Sequence, residues 1–362
     1  MRVLIFTGSS GGHMFPAFGF IDALQIKYPL IETLLVLPRK SLGEWAKKRS
    51  YPYKVIEVSS FGLARGMRNA KALLQLCISC PKIIFLLFTF RPAVVVGFGG
   101  ISTILAIMLG RFLGIKTLIH EQNVLPGRAN GFLAVFADAI AVSFEETASH
   151  LAHFEKKLIL TGLPLRKELI RIGKKEALEF FGMNESLVTI LVLGGSQGSH
   201  RVNIAFLGAI LGLMHKDGIQ VIHICGPLDC SALNEAYGKE GIPARVFDFF
   251  EKMQFALSAS DMVVSRAGAS TIAELIRYEL PAILIPYPFA RKHQAQNARH
   301  LQTIGAAVCI EETAVLESEL KDNIASLVND KERLVRMRYA YRKTAYRDGG
   351  NLLSEAVRSL CP

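Results

Sequence analysis

Apolar residues recur along the chain in two alternating patterns. Short aliphatic and β-branched runs such as Val3–Phe6 give way to longer stretches where apolar positions return every three or four residues, as at Ala17, Ile21, Leu24 and Tyr28. The first pattern predicts strands buried on both faces, the second helices with one apolar side. Strands are predicted at Val3–Phe6, Thr33–Leu37, Ala93–Val96, Thr117–His120 and Ala139–Val142. A second series follows at Thr189–Leu193, Val221–Cys225, Arg245–Phe247, Met262–Ser265 and Ala282–Pro286. Strands alternating with helices imply parallel sheets with crossover helices. Each series opens with a strand running into a glycine-rich loop, Gly8–Gly12 in one and Gly194–Gly198 in the other. The expected fold is therefore α/β, with two doubly wound, Rossmann-like domains at 1–163 and 164–340. Thr161–Arg166 reads as the linker and 341–362 as a C-terminal helix able to pack back on the first domain. The length of 362 residues agrees, exceeding what one hydrophobic core usually organises.

One stretch departs from the alternation. Ala72–Phe90 is almost wholly apolar, interrupted by Pro81 and Lys82, and neither half reaches the roughly 20 residues that span a bilayer. Two readings stand: helices packed on a sheet, or an apolar surface dipping into a membrane interface. The flanking cations Arg65, Arg68, Lys71, Lys82 and Arg91 suit an anionic leaflet.

Composition sharpens this picture. The apolar fraction is 51%, the mean hydropathy +0.31 and the net charge +11, with small basic clusters at Arg39-Lys40, Lys47–Arg49 and Lys174-Lys175. Such a chain attracts anions: a phosphorylated substrate or an acidic lipid surface. No basic run interleaved with aromatics suggests a nucleic-acid platform, so nucleic acid is not an expected partner. Of six cysteines only Cys77 and Cys80 have a suggestive spacing, inside an apolar stretch with no second pair or nearby histidine. They read as buried or interfacial thiols of a reducing compartment. The apolar run at Met1–Phe6 is too short for a signal peptide.

Candidate chemistry gathers at strand ends. Glycine-rich turns between strand and helix expose backbone N–H groups at the positive end of the helix dipole and let an anion approach. Three occur, at Gly8–Gly12, Gly97–Gly100 and Gly194–Gly198. None has the dinucleotide fingerprint or the Walker pattern, which weakens nicotinamide and ATP chemistry. His13 follows the first loop, either as a base or as a packed histidine opening a helix. His120-Glu-Gln-Asn123 ends a strand with four polar side chains, facing a ligand or forming a polar turn. In Ser265–Glu274, Thr271-x-x-Glu274 fits a capping box, the alternative being a carboxylate for ribose hydroxyls. Lys292–Asn297 follows a Pro-rich loop. No HExxH, DxD-like or Cys/His cluster suggests a metal.

These segments, in this order, resemble the MurG family, bacterial transferases of N-acetylglucosamine onto the lipid-linked muramyl-pentapeptide precursor of peptidoglycan. The likeness rests on GSSGGHMFPA from Gly8, HEQN from His120, TGLPLR from Thr161, GGSQGS from Gly194, SRAGASTIAE from Ser265 and HQAQNA from His293. The resemblance implies a GT-B fold, with the active site in a cleft between two Rossmann-like domains. It also implies an inverting, metal-independent transfer from UDP-N-acetylglucosamine to undecaprenyl-diphosphate-linked muramyl-pentapeptide, with no cofactor. On that resemblance His13 is the base, and Ser10, Gly11 and Gly12 lie against the reacting sugar and phosphates. Asn123 contacts a sugar, Arg166 is a cation near the donor, and Ser196 faces the diphosphate. The backbone near Phe250 holds uracil, while Ala269, Ser270, Thr271, Ile272, Ala273 and Glu274 hold ribose and phosphate. Gln294, with His293, contacts sugar hydroxyls. A basic-rimmed apolar patch in the first domain, here Ala72–Phe90, would dock the enzyme peripherally on the cytoplasmic face of an anionic membrane.

The chain departs from the family pattern in three places. Ser9 and Ser10 replace the usual glycine and threonine, Ile101–Leu105 is more apolar than usual, and Lys292 stands where an acidic residue or asparagine is common. A UDP-sugar epimerase, a GT-B enzyme with a soluble acceptor and a non-catalytic membrane scaffold are the competing readings.

Overall fold

The computed structural model describes all residues except 58–66, 196–197, 215, 291, 345–346 and 362, and only the backbone of 67–77. Two compact units result, Met1–Lys167 with Arg347–Pro362, and Glu168–Tyr346. Arg166 thus lies in the first unit, as does the last helix, Gly349–Ser359.

The first unit contains strands β1 (Arg2–Phe6), β2 (Glu32–Leu37), β3 (Tyr53–Val55), β4 (Val94–Gly97), β5 (Lys116–Glu121), β6 (Ala139–Val142) and β7 (Leu158–Leu160). They form one parallel sheet in the order β3-β2-β1-β4-β5-β6-β7. The second unit contains β8 (Val188–Leu193), β9 (Ile219–Ile224), β10 (Ala244–Phe247), β11 (Met262–Ser265), β12 (Ala282–Leu284) and β13 (Ala307–Cys309). Their order, β10-β9-β8-β11-β12-β13, repeats the winding of the first sheet. In both, direction of travel reverses beside the opening strand, between β1 and β4 and between β8 and β11. Loops leaving the carboxyl ends of strands diverge there, which is where open α/β sheets take ligands.

The sequence pattern misses three strands: Tyr53–Val55, Leu158–Leu160 and Ala307–Cys309. Each has three residues and lies at a sheet edge, too short a run for periodicity to separate from its surroundings.

Both faces of the first sheet are covered. On one, helix Gly11–Lys27 buries Ala17, Phe18, Phe20, Ile21 and Leu24, together with Leu353 and Val357 of Gly349–Ser359. On the other, Met67–Phe90 buries Ile83, Leu86 and Leu87 against β1, β4 and β5, beside helix Ile101–Phe112. Met67–Phe90 is one continuous helix through Pro81, not two segments. An interior proline costs about 3 kcal/mol; three buried aliphatic side chains, each contributing about 1.5–3 kcal/mol, offset it. The same helix turns Ile78, Phe85 and Phe88 outward, the last two 66% and 61% exposed, so it is both packed and apolar on its surface. Among the described residues no helix is long and apolar enough to cross a membrane. Arg65 lies outside the described residues, as do the side chains of Arg68, Lys71 and Cys77.

Candidate functional site

In the first unit the helix after β1 begins at Gly11, with Ser10 extended at its N-cap (φ −101°, ψ 154°). Ser10 does not cap that helix; its Oγ lies 3.0 Å from His13 Nδ1 and orients the ring. Two glycines make room for the imidazole. A Cβ on Gly8 would meet His13 Nδ1 at 2.4 Å, and one on Gly99, whose φ is +90°, would meet Nε2 at 3.0 Å. The ring therefore sits between the loops after β1 and β4, at the switch point. The second loop is anchored by Ser102 Oγ donating to Thr7 O (3.1 Å) and Thr103 Oγ1 donating to Gly99 O (2.7 Å).

The polar run after β5 divides sharply. His120 is fully buried; its Nε2 donates to Gly162 O at 3.1 Å, and burial lowers its pKa to about 4, so it stays neutral. Glu121, 1% exposed, accepts from Asn123 N (2.9 Å) and Nδ2 (3.2 Å) through one oxygen. Its other oxygen accepts from Gly127 N (2.9 Å) and Asn130 Nδ2 (2.8 Å). Gln122 donates to Phe98 O at 3.1 Å, tying this loop to the β4 loop. Three of the four residues are thus internal scaffold, and only Asn123 is half-exposed. The Arg166 guanidinium stacks over Phe15, 4.8 Å from its centroid, on the helix that carries His13.

In the second unit the loop after β8 leads into helix His200–Leu211. Gly198 (φ +75°) has no space for a side chain: a Cβ would meet Cys225 O at 2.2 Å. Ser196 lies outside the described residues. After β11, helix Ala269–Tyr278 begins with Gly268 as N-cap and no side-chain cap. Thr271 and Glu274 lie inside this helix, so the expected capping box does not form. Gly268 has no side chain to cap the opening N–H groups, and the Ser270 hydroxyl is buried with no partner among the described residues. Ala269, Ile272 and Ala273 share that first stretch, Ile272 fully buried on the core side. Phe250, after β10, turns its ring against Phe247 (4.7 Å) and Phe181 (5.4 Å); β9 and β8 separate its strand from β11. His293 and Gln294 open helix His293–Ile304, where Gln294 Oε1 accepts from Tyr287 N at 2.9 Å.

Sequence reasoning passed over Arg266. It is 7% exposed, donates to Ser199 Oγ (2.8 Å) and Ile285 O (3.2 Å), pairs with Glu312 and stacks on Tyr287 at 5.3 Å. It thereby ties together the loops after β8, β11 and β12. Asn297 does similar work, donating to Ala267 O at 3.1 Å from full burial. Both lie within the motifs that carry the resemblance; for Arg266 a charge directly after the buried strand Met262–Ser265 was the available signal, and Asn297, an amide in a polar stretch, gave none.

Comparison with known proteins agrees with this geometry. Residues 3–142 match the glycosyltransferase family 28 N-terminal domain and 189–352 its C-terminal domain. Across 99% of both chains the fold superposes on a crystal structure of Acinetobacter baumannii MurG with a TM-score of 0.77 at 22% identity. It also matches a glycotransferase of kitacinnamycin, with a TM-score of 0.71 at 14% identity over all of this chain and 99% of the other. The fold and these domains define a two-domain GT-B glycosyltransferase. A Desulfotalea psychrophila relative is 36% identical over 99% of this chain and 96% of its own length, and one from Desulforamulus reducens 33% identical over 100% and 99%. Both are named UDP-N-acetylglucosamine–N-acetylmuramyl-(pentapeptide) pyrophosphoryl-undecaprenol N-acetylglucosamine transferase. The chain belongs to the MurG family.

Proposed function

We propose that the chain transfers N-acetylglucosamine from UDP-N-acetylglucosamine to lipid-linked N-acetylmuramyl-pentapeptide, converting lipid I to lipid II in peptidoglycan synthesis. The observation that carries the chemistry is the His13 imidazole, oriented by Ser10 and seated between Gly8 and Gly99 at the switch point of the first sheet. In this reading His13 takes the proton of the acceptor hydroxyl as its oxygen attacks the anomeric carbon opposite the departing UDP, inverting that centre. Gly11 and Gly12 border the reacting sugar and phosphates, and Asn123 and Arg166 add sugar and donor contacts. The second unit holds the donor: uracil at the backbone of Phe250, ribose at Glu274, diphosphate at the loop of Ser196 and the N-terminus of Ala269–Tyr278, and sugar hydroxyls at His293 and Gln294. Backbone amides and cations answer the diphosphate's charge, and no metal is required.

Attachment to the cytoplasmic face of an anionic membrane belongs to the same reading. Phe85, Phe88, Phe112 and Leu113 are exposed on adjacent helices, with Lys82, Arg91 and Arg111 exposed near them in the chain. Apolar side chains flanked by cations are what a headgroup layer accommodates.

The deciding experiment supplies radiolabelled UDP-N-acetylglucosamine and a short-chain muramyl-pentapeptide lipid in the presence of EDTA, with His13→Ala alongside. Label entering the lipid with wild type and lost in the variant supports the transferase, the base and metal independence. Donor binding without transfer would remove the acceptor assignment. Undiminished transfer by the variant would discard His13 as the base.

A further inference from the structure

Cys225 follows β9 directly, and Cys230 opens helix Cys230–Lys239. The turn between them, Gly226-Pro-Leu-Asp229, bends the chain through Gly226 at φ +86°. One amide group closes this turn: Asn203 Nδ2 donates to Cys225 O (2.8 Å) and to Asp229 Oδ2 (2.7 Å). Asp229 Oδ1 in turn meets His200 Nδ1 at 2.7 Å. The two ends of the turn are thus fastened side by side, and both cysteines pack into the same hydrophobic core. Both are reduced thiols and they meet: burial, and then the Cys230 thiol hydrogen-bonded beside it, raise the Cys225 pKa.

The two thiols differ in access. Cys225 is 2% exposed, and its Sγ donates to Gly226 O and Phe247 O, each at 3.3 Å. Cys230 is half-buried, and the turn beside it is open to solvent at Pro227 and Leu228. An oxidant therefore reaches Cys230 first and leaves Cys225 as the second thiol. Phe247 O ends β10 and accepts from Cys225 N (2.9 Å) as well as from Sγ, while the Phe247 ring packs on Phe250 at 4.7 Å. A cysteine that serves packing alone behaves as a small hydrophobe and needs no second thiol against it.

We propose that Cys225 and Cys230 form a reversible disulfide when hydrogen peroxide reaches the protein, and that this bond weakens nucleotide binding beside β10. The Cys230 sulfur attacks one peroxide oxygen; the O–O bond breaks, and the other oxygen leaves with the electron pair and the thiol proton as water. The Cys225 sulfur then attacks the sulfenic acid formed on Cys230. The S–O bond breaks as the S–S bond forms, and the departing hydroxide takes the Cys225 proton as a second water. Two thiols have lost two electrons and two protons, and the peroxide has gained them. A small dithiol reverses the bond by exchange. Without its hydrogen, Cys225 Sγ no longer donates to Phe247 O and turns toward Cys230, which loosens the β9–β10 seam at the residue leading to Phe250. That effect on binding, though not the disulfide itself, rests on the nucleotide-sugar reading above.

The test takes wild type and Cys230→Ser, each reduced and then treated with hydrogen peroxide. Peptide mass mapping with free thiols blocked, and calorimetric titration with UDP, are run on every sample. The expected map shows Cys225 linked to Cys230 in oxidised wild type, the link lost with dithiothreitol and absent from the variant. Both reduced proteins should bind UDP alike; peroxide should lower wild-type affinity about three- to tenfold, the scale of one hydrogen bond, and leave Cys230→Ser unchanged. Absence of the link in oxidised wild type would overturn the pair. The link with unaltered UDP affinity, or equal losses in wild type and variant, would overturn the switch. Reduced wild type binding neither UDP nor UDP-N-acetylglucosamine would instead overturn the donor reading, with the peptide map still deciding the pair.

Discussion

The two units open with the same strand, glycine loop and helix, and each places a histidine in the first turn of that helix, but the rings have different partners. His13 is met by a neutral hydroxyl, Ser10, and enclosed by backbone at Gly8 and Gly99. His200 is met by the carboxylate of Asp229 and is largely exposed. A hydroxyl orients an imidazole without adding charge, which suits a group that must take up a proton. A carboxylate that accepts at Nδ1 fixes the ring's hydrogen on the nitrogen facing it. In the reading proposed above the first ring is the base, and the partner side chain is what distinguishes the two histidines.

The comparison is broken most directly at its first half. His13→Ala should lower kcat about 10²- to 10⁴-fold, roughly 3–5 kcal/mol of barrier, with UDP affinity unchanged in titration. A loss of donor affinity instead would make His13 a donor contact rather than the base. A second effect concerns the buried histidines, one in each unit. His120 and His223 have pKa values lowered to about 4 and about 3 by burial, whereas the unfolded value is about 6.5. Unfolding therefore takes up protons below pH 6.5. The contribution of these neutral rings is fully present above that pH and is lost as pH falls toward 4, by up to about 3 kcal/mol for each. Urea denaturation across pH 4–7.5 reads this, and a stability flat over that window would mean the rings are charged in the folded protein. Gly8→Val should come next, because its Cβ lies where His13 Nδ1 sits. Displacing the ring should cost about 2 kcal/mol in kcat/KM, read alongside donor affinity as a control for the second unit. Ser10→Ala should have the smallest effect, about 1 kcal/mol in kcat, as expected for one neutral hydrogen bond. An effect as large as that of His13→Ala would mean that Ser10 does more than orient the ring.

Much of this organisation was legible in the residues. Central strands buried on both faces gave apolar runs long enough to read, so all the inner strands were predicted, while the edge strands Tyr53–Val55, Leu158–Leu160 and Ala307–Cys309 are only three residues each. The glycine loops were equally visible, since only glycine readily adopts the positive φ that Gly99, Gly100, Gly195 and Gly198 take. Partners distant in the chain were not. Thr271-x-x-Glu274 matched a cap locally, but the helix begins at Ala269, and a motif cannot show where a helix starts. His120-Glu-Gln-Asn123 read as one polar surface, yet its first three members are buried by contacts reaching Gly162, Asn130 and Phe98. Asp229 stands 29 positions from His200, a separation that no local pattern links.

Residue order alone determined the α/β alternation, the two glycine-led halves and the family, because these depend on periodicity and on glycine at fixed spacing. The tertiary structure decided which polar residues became scaffold and which remained at the surface, and which partner each histidine received. The physical reason is that a side chain's charge state and accessibility depend on neighbours brought together by sheet order, and strand adjacency is not written in sequence distance.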